Sequence, residues 1–97
     1  MHETSNTIRE WGDATFGEVK DLAALVRRAR GELDELLAAV QAKELAEIGR
    51  EAADVVILLH RLVALSGMDL SEQVEAKMAI NRARTWAAAG DGTGGHV

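Results

Sequence analysis

The stretch EAADVVILL, residues 51–59, decides the fold of this chain. Glu51 and Asp54 lie three residues apart, and on a helix that spacing places both carboxylates on one face. The apolar residues that follow widen the apolar stripe beyond one face, which is typical of a helix buried on two sides. A carboxylate beside such a surface is costly to desolvate unless a partner group compensates it. The stretch therefore predicts a buried helix with functional acids at its edge.

A second acidic pair, Glu32 and Glu35, has the same position on the preceding helix. Both pairs border the apolar stripe of their helix, so the four carboxylates meet at one seam if the helices pack antiparallel. Carboxylates cannot cluster in the ionised form without a cation. The cation that accepts an all-oxygen shell is Mg²⁺, for which Mn²⁺ can substitute. The alternative is that these are solvated surface acids, since Glu is a strong helix former.

The rest of the chain also indicates helices with short connections, because it has no proline and its glycines are concentrated at a few places. Apolar residues recur at i, i+3, i+4 and i+7 along two long segments. Thr15-Phe16-Gly17 indicates a turn. The first three predicted helices are residues 5–14, 18–41 and 44–66. A fourth helix is predicted to begin after an N-cap at Asp69 or Ser71 and to carry Val74 and Met78, with Trp86 as a candidate further member.

The length of 97 residues predicts one domain, residues 1–89, followed by a flexible glycine-rich tail, residues 90–97. Only three residues are aromatic, so a single chain has a thin core, although 47% of the sequence is hydrophobic. The surplus of aliphatic surface predicts an all-α bundle that is completed by oligomerisation.

Charge and composition exclude several classes of function. A net charge of −5 argues against a nucleic-acid-binding role, because phosphate backbones need a basic face. The chain has no cysteine, which excludes disulfides and thiolate metal sites and is consistent with a cytoplasmic protein. The polar start of the chain does not resemble a signal peptide. The apolar segment 52–65 is interrupted by charged residues and is too short to span a bilayer, so no membrane role is expected.

The motifs resemble those of a known family. E-x-x-E at residues 32–35, followed by E-x-x-D at residues 51–54, is similar to the signature of the MazG-like, all-α nucleoside triphosphate pyrophosphohydrolases. The block KMAINRARTW, residues 77–86, also resembles theirs. Trp11 followed by residues 15–17 is similar to the start of the dATP/dGTP pyrophosphohydrolase branch. The resemblance implies a MazG-like bundle that hydrolyses (deoxy)nucleoside triphosphates to nucleoside monophosphate and pyrophosphate, with Mg²⁺ as cofactor and a role in clearing unwanted nucleotides.

The resemblance also implies the roles of individual residues. Glu32, Glu35, Glu51 and Asp54 match the positions that bind Mg²⁺ in the family. One of these carboxylates would act as the general base, and Glu35 is our choice.

The C-terminal block would face the substrate. Lys77 and Arg84 would supply positive charge to the phosphates and Asn81 a hydrogen bond, with Lys77 counted as catalytic. The three residues are predicted to share one face of the fourth helix, at i, i+4 and i+7. The alternative for them is a solvated basic helix end.

Two aromatic residues are candidates for the base. Trp11 and Phe16 would stack on the nucleobase, with a core or interface role as the alternative. His60 lies opposite the acidic flank and is expected to pack rather than to bind metal.

The sequence departs from the family at two places. Many relatives have a further carboxylate directly before the first acidic pair, where this chain has Gly31. Arg50 stands where relatives often have another acid. The contribution of the missing acid, whether water activation or a second metal, is therefore open.

Two other functions stay possible at this stage. A phosphoribosyl-ATP pyrophosphatase has a similar string at residues 51–54 followed by His60, but residues 77–86 fit that family poorly. A helical dimerisation or regulatory module would bind metal weakly and turn over no triphosphate. The base, the sugar and the choice between homodimer and homotetramer do not follow from the sequence.

Overall fold

The computed structural model describes residues 2–97 and contains four helices followed by two short strands. The order of the helices agrees with the prediction, whereas the strands were not predicted. The elements are α1 (Ser5–Phe16), α2 (Leu22–Gln41), α3 (Leu45–Leu65), α4 (Leu70–Ala83), β1 (Trp86–Ala88) and β2 (Gly94–His96).

Local side chains fix the helix ends. Thr4 and Thr7 form a capping box at the start of α1, and the Asp69 side chain, rather than that of Ser71, accepts the backbone N–H of Glu72 at the start of α4. The predicted turn at residues 15–17 is wrong at its start, because α1 continues through Phe16. Gly17 takes the turn alone, with a φ of 85° that disfavours other residues.

Helices α2 and α3 form the body of the molecule. Their connection of three residues and their extensive contact make them an antiparallel hairpin, and α1 packs on α3. Within residues 2–97, the buried apolar side chains of the core come from α2 and α3; they are Leu25, Ala29, Ala39 and Val55. The core of the single chain is therefore as thin as the sequence predicted.

The apolar stripe of α2 is wider than its neighbours cover. Leu25 and Ala29 point into the core, but a second row on the same helix is exposed. This row consists of Leu22, Val26, Leu33, Leu37 and Val40. The prediction that α3 is buried on two sides is likewise not met within one chain, where only Val55 and Arg61 of this helix are buried.

Helix α4 projects from this body. It contacts α3 and has no buried residue. Its start is held by Ser5, which is fully buried: the Ser5 N–H donates to Asp69 Oδ1 at 3.1 Å, and the Leu70 N–H donates to Ser5 Oγ at 2.7 Å. Ser5 Oγ also lies 2.7 Å from His60 Nδ1, so His60 packs at this junction, away from the acids, as expected.

The C-terminal segment forms an antiparallel hairpin in which Trp86 pairs with His96. The indole Nε1–H of Trp86 donates to the carbonyl oxygen of Asn81, in the last turn of α4, at 2.7 Å. The Trp86 ring meets the His96 ring edge-on. Trp86 is therefore a strand residue and not part of the fourth helix. The predicted boundary at residue 89 falls inside the hairpin, and the flexibility of residues 90–97 stays a prediction. No helix within residues 2–97 is long and apolar enough to cross a membrane.

Candidate active site

Carboxylates from α2 and α3 meet at the seam between the two helices. Glu32, Glu35 and Glu51 each offer an oxygen, and these atoms all lie within 4.8 Å of one another. The antiparallel hairpin produces this cluster, because each acid borders the apolar stripe that packs into the seam. Three of the four acids expected at a metal site are thus brought together.

Two oxygens of this cluster have no hydrogen-bond partner. Glu32 Oε2 and Glu51 Oε2 are buried and unpaired among the described residues. The pKa of Glu32 is raised, and the largest cause is the close approach of the Glu35 carboxyl group. Desolvation and the negative charges of Glu35, Asp54 and Glu51 raise it further. Desolvation and the Glu35 charge raise the pKa of Glu51. Crowded acceptor-only oxygens without donors fit the oxygen shell of a hard divalent cation.

Asp54 is exposed and lies at the margin of this cluster. It is not among the three acids that come within 4.8 Å of each other, but its charge contributes to the raised pKa values of Glu32 and Glu51. Together with Glu32, it lines a cavity of about 450 Å³. Glu35 and Glu51 line a different cavity, of about 380 Å³. The acids therefore form a wall that is open on two sides.

The larger cavity joins this acidic wall to an aromatic end. Trp11 and Phe16 of α1 line it, and their rings are in edge-to-face contact with centroids 5.5 Å apart. They are 55% and 69% exposed, so neither is a core residue of the single chain. Arg28 of α2 lines the same cavity, whereas Arg27 forms an ion pair with Asp21 at 3.0 Å.

The structure does not form the predicted helical face of Lys77, Asn81 and Arg84. Helix α4 ends at Ala83, so Arg84 has extended backbone and does not continue the helical face of Lys77 and Asn81. The helix ends there because Asn81 O accepts both the Arg84 N–H and the Trp86 indole, which directs the chain into the hairpin. None of these three residues lines either acidic cavity within residues 2–97.

Arg61 of α3 was missed as a candidate by sequence reasoning, which treated it only as an interruption of the apolar segment. It is 6% exposed, lies 5.6 Å from the centroid of the Phe16 ring, and lines the cavity that Glu32 and Asp54 also line. Its sequence signal is a charge on an otherwise apolar helix face, two helical turns after Asp54.

Known proteins support a relationship on the sequence level. The family model of dATP/dGTP pyrophosphohydrolase matches residues 4–96. The dATP/dGTP diphosphohydrolase of Cyanophage S-2L is 44% identical over 66 residues, which are 68% of this chain and 59% of that protein. The dATP/dGTP diphosphohydrolase of Salmonella phage PMBT28 is 36% identical over 95 residues, which are 98% of this chain and 31% of that protein. The chain thus spans less than two thirds of the length of either relative.

A solved structure supports the relationship on the level of the fold. The chain is similar to the MazG-like pyrophosphohydrolase of Cyanophage S-2L, with a TM-score of 0.74, 32% sequence identity, and coverage of 96% of this chain and 92% of that one. That protein was solved with dGDP and three catalytic Mn²⁺ ions per active site. Because the family match runs over almost the whole sequence and the fold agrees with it, the chain belongs to the dATP/dGTP pyrophosphohydrolase family.

Proposed function

We propose that this protein hydrolyses purine deoxynucleoside triphosphates, dATP and dGTP, to nucleoside monophosphate and pyrophosphate, with Mg²⁺ or Mn²⁺ as cofactor. The observation that carries the proposal is the cluster of Glu32, Glu35 and Glu51, whose oxygens lie within 4.8 Å of one another and include two that are buried and unpaired. The purine preference comes from the relatives. The proposed physiological role is the removal of unwanted nucleotides from the cellular pool.

The metal ligands in this proposal are Glu32, Glu35, Glu51 and Asp54. When bound, a divalent cation neutralises charge on the phosphate oxygens and lowers the pKa of a coordinated water. The chain itself supplies the like-charged wall that selects a cation over a neutral ligand. It also supplies the open sides through which water and phosphate reach that wall.

The reaction is an attack of water on the α-phosphorus of the triphosphate, which bears the nucleoside. The water oxygen forms the new P–O bond, the bond to the bridging oxygen breaks, and pyrophosphate leaves with that oxygen and its electron pair. Glu35 accepts the proton of the water, since its carboxylate is the most exposed of the three clustered acids. Trp11 and Phe16, at the other end of the cavity of about 450 Å³, hold the base by stacking.

Lys77, Asn81 and Arg84 bind the phosphates in this proposal, and a second copy of the chain brings them there. Within one chain they line neither acidic cavity, and α4 has no buried residue. Helix α4 also exposes apolar side chains that a neighbouring chain would cover, namely Val74, Met78 and Ile80. We propose a homodimer or homotetramer in which α4 of one protomer completes the acidic site of another.

The test of the function is pyrophosphate release from a panel of nucleoside triphosphates with Mg²⁺ or Mn²⁺. Turnover of dATP and dGTP that Glu51→Gln abolishes and Asp34→Asn preserves would support it, because Asp34 lies on α2 but outside the acid cluster. Turnover of phosphoribosyl-ATP alone would favour the first rival function. Weak metal binding without any triphosphate turnover would favour a dimerisation or regulatory module.

The test of the shared site is complementation. Glu51→Gln would be inactive alone and Lys77→Ala would keep about a tenth of the wild-type rate or less. Mixing the two variants under subunit exchange would raise the activity to roughly a quarter of the wild-type value in a dimer with two shared sites. No recovery between two variants that exchange subunits would place Lys77 and Glu51 in the same protomer's site or remove Lys77 from it.

A further inference from the structure

Arg61 carries a buried positive charge that the protein leaves incompletely paired. Its Nε and one terminal nitrogen, Nη2, have no hydrogen-bond partner among the described residues. The nearest acid is Asp13, whose Oδ1 lies 3.8 Å from Nη2, beyond hydrogen-bonding distance, and is itself buried and unpaired. Buried charged groups are normally paired and hydrogen-bonded. The guanidinium group therefore has few partners within the chain, and it lines the cavity that Glu32 and Asp54 also line.

The guanidinium group is held in a fixed position. Gly12 of α1 is buried against it, and a Cβ at residue 12 would overlap the Nε and the carbons of the Arg61 side chain. The Phe16 ring lies 5.6 Å from the guanidinium carbon, a distance typical of a cation–π contact. Asp13, also on α1, attracts the guanidinium group by its charge. Gly12, Asp13 and Phe16 of α1 thus hold the Arg61 side chain in place.

The position of Arg61 along α3 relates it to the base rather than to the phosphates. Asp54 and Arg61 are seven residues apart on one helix, so they lie on the same face about 10.5 Å apart along its axis. Both line the cavity that Trp11 and Phe16 also line. If the acids hold the triphosphate, the sugar occupies the middle of the cavity and the base reaches its aromatic end.

We propose that Arg61 recognises the purine base by donating N–H groups from the part of its guanidinium group that lines the cavity to the base edge that carries N7. This inference rests on the proposed function and deepens it. Nitrogen N7 is an acceptor in both adenine and guanine, guanine adds O6 as a second acceptor, and a pyrimidine ring has no N7. Trp11 and Phe16 supply the flat apolar contact with the base, and the hydrogen bonds of Arg61 fix the orientation of the base in the cavity. Asp13 is a positioning residue that orients the guanidinium group without contacting the substrate.

The test removes the Arg61 guanidinium group from the protein and nitrogen N7 from the substrate, separately and together. We expect wild-type protein to show at least a tenfold lower kcat/KM for 7-deaza-dGTP, which lacks N7, than for dGTP, because a site built to hydrogen-bond an acceptor rejects its analogue. Arg61→Met keeps the apolar stem of the side chain and removes the donors. Its ratio for the two substrates should fall to about one, whatever its absolute rate.

A matched control is Arg28→Met, which removes an arginine from the same cavity wall. It should keep the wild-type ratio between the two substrates. The inference is overturned if wild-type protein treats dGTP and 7-deaza-dGTP alike, or if Arg61→Met discriminates as strongly as wild type. It is also overturned if Arg61→Met lowers the rates for purine and pyrimidine triphosphates equally, since that result assigns Arg61 to a phosphate.

Binding separates this inference from the proposed function. With Mn²⁺ present, wild-type protein should bind dGDP at least tenfold more tightly than 7-deaza-dGDP. Gly12→Ala, which displaces the guanidinium group, should reduce that difference even if Arg61→Met does not fold. A folded wild-type protein that hydrolyses no triphosphate contradicts the proposed function, whereas equal binding of the two diphosphates contradicts only the role of Arg61.

Discussion

Glu32 and Glu51 each keep one carboxylate oxygen buried and without a donor, and this arrangement makes the acid cluster sensitive to cations. Like charges that crowd one another destabilise the folded state when no cation is bound. A ligand that binds only the folded state stabilises it by mass action. Metal binding at this seam is therefore measurable through stability as well as through activity.

At the residue scale, the first prediction concerns Glu51. Millimolar Mg²⁺ or Mn²⁺ should raise the melting temperature of wild-type protein and leave that of Glu51→Gln unchanged. Without metal, Glu51→Gln should melt above wild type, because it removes one charge from the cluster. Thermal melts with and without metal measure both effects, and Asp34→Asn serves as the control. Equal melting of metal-free and metal-loaded wild type would contradict a metal site.

The second prediction at this scale concerns Lys77. Lys77→Ala should lose about tenfold or more of the pyrophosphohydrolase rate, because a charge-assisted phosphate contact contributes roughly 1.5–3 kcal/mol. Helical content, oligomeric state and the metal-induced shift in melting temperature should stay as in wild type. Arg82→Ala is the control, since this exposed residue of the same helix lies on a different face. A well-folded Lys77→Ala protein with the wild-type rate would exclude Lys77 from the site.

At the element scale, Ser5 and Asp69 join the starts of α1 and α4. Hydrogen bonds from the backbone N–H groups of Ser5 and Glu72 lower the pKa of Asp69 below its ordinary value of 3.8. A carboxyl group with a lowered pKa in the folded state stabilises the fold above its unfolded pKa. That contribution is lost as the pH falls through the lowered folded value.

The prediction that follows is a pH-dependent effect of Asp69→Asn. The variant should unfold at lower denaturant concentration than wild type at neutral pH. The difference should shrink as the pH falls below the ordinary value of 3.8 and through the lowered folded pKa of Asp69. Denaturant unfolding across that range measures the effect. Glu75→Gln, a change at an exposed acid of α4, should leave the pH profile unchanged. A constant difference at every pH would show that Asp69 acts only as a neutral helix cap.

At the scale of the whole molecule, the single chain is extended and thinly packed. Its radius of gyration is 15.6 Å, whereas a compact domain of this length has about 13 Å. The exposed apolar row on α2, defined above, is a surface that a partner chain would cover. We expect a stable oligomer at micromolar concentration, measured by light scattering. Leu37→Glu should shift the oligomer towards monomer, and Val97→Glu, at an exposed apolar residue of the C-terminal end, should not. A wild-type monomer would contradict this expectation.

The order of the helices and the clustering of Glu32, Glu35 and Glu51 followed from the sequence because both depend on local rules. The i, i+3, i+4, i+7 stripes define α2 and α3, and acids at matched positions on two consecutive helices come together in any antiparallel hairpin. The start of α4 was predictable to within two residues, since Asp69 and Ser71 were both candidate N-caps and the structure has Asp69 in that position. Family motifs added the proposed activity, which periodicity alone does not contain.

The later part of the chain was less predictable because it depends on contacts between distant residues. Arg84 continues the helical pattern in sequence, but hydrogen bonds to Asn81 O end α4 and redirect the chain. Residues 90–97 contain glycine in abundance and no apolar alternation, so the pairing of β2 with β1 has no strong sequence signal.

The sequence by itself determined the helical class, the acid pairs and the family, since each of these is written in residue type and spacing. Only the tertiary structure decided that Arg61 is buried. Its burial depends on the absence of a side chain at Gly12, 49 positions earlier, and on the ring of Phe16, and no local pattern links these residues. The structure also separated the apolar surface that one chain buries from the surface that it leaves exposed, because that division depends on how α1, α2 and α3 pack.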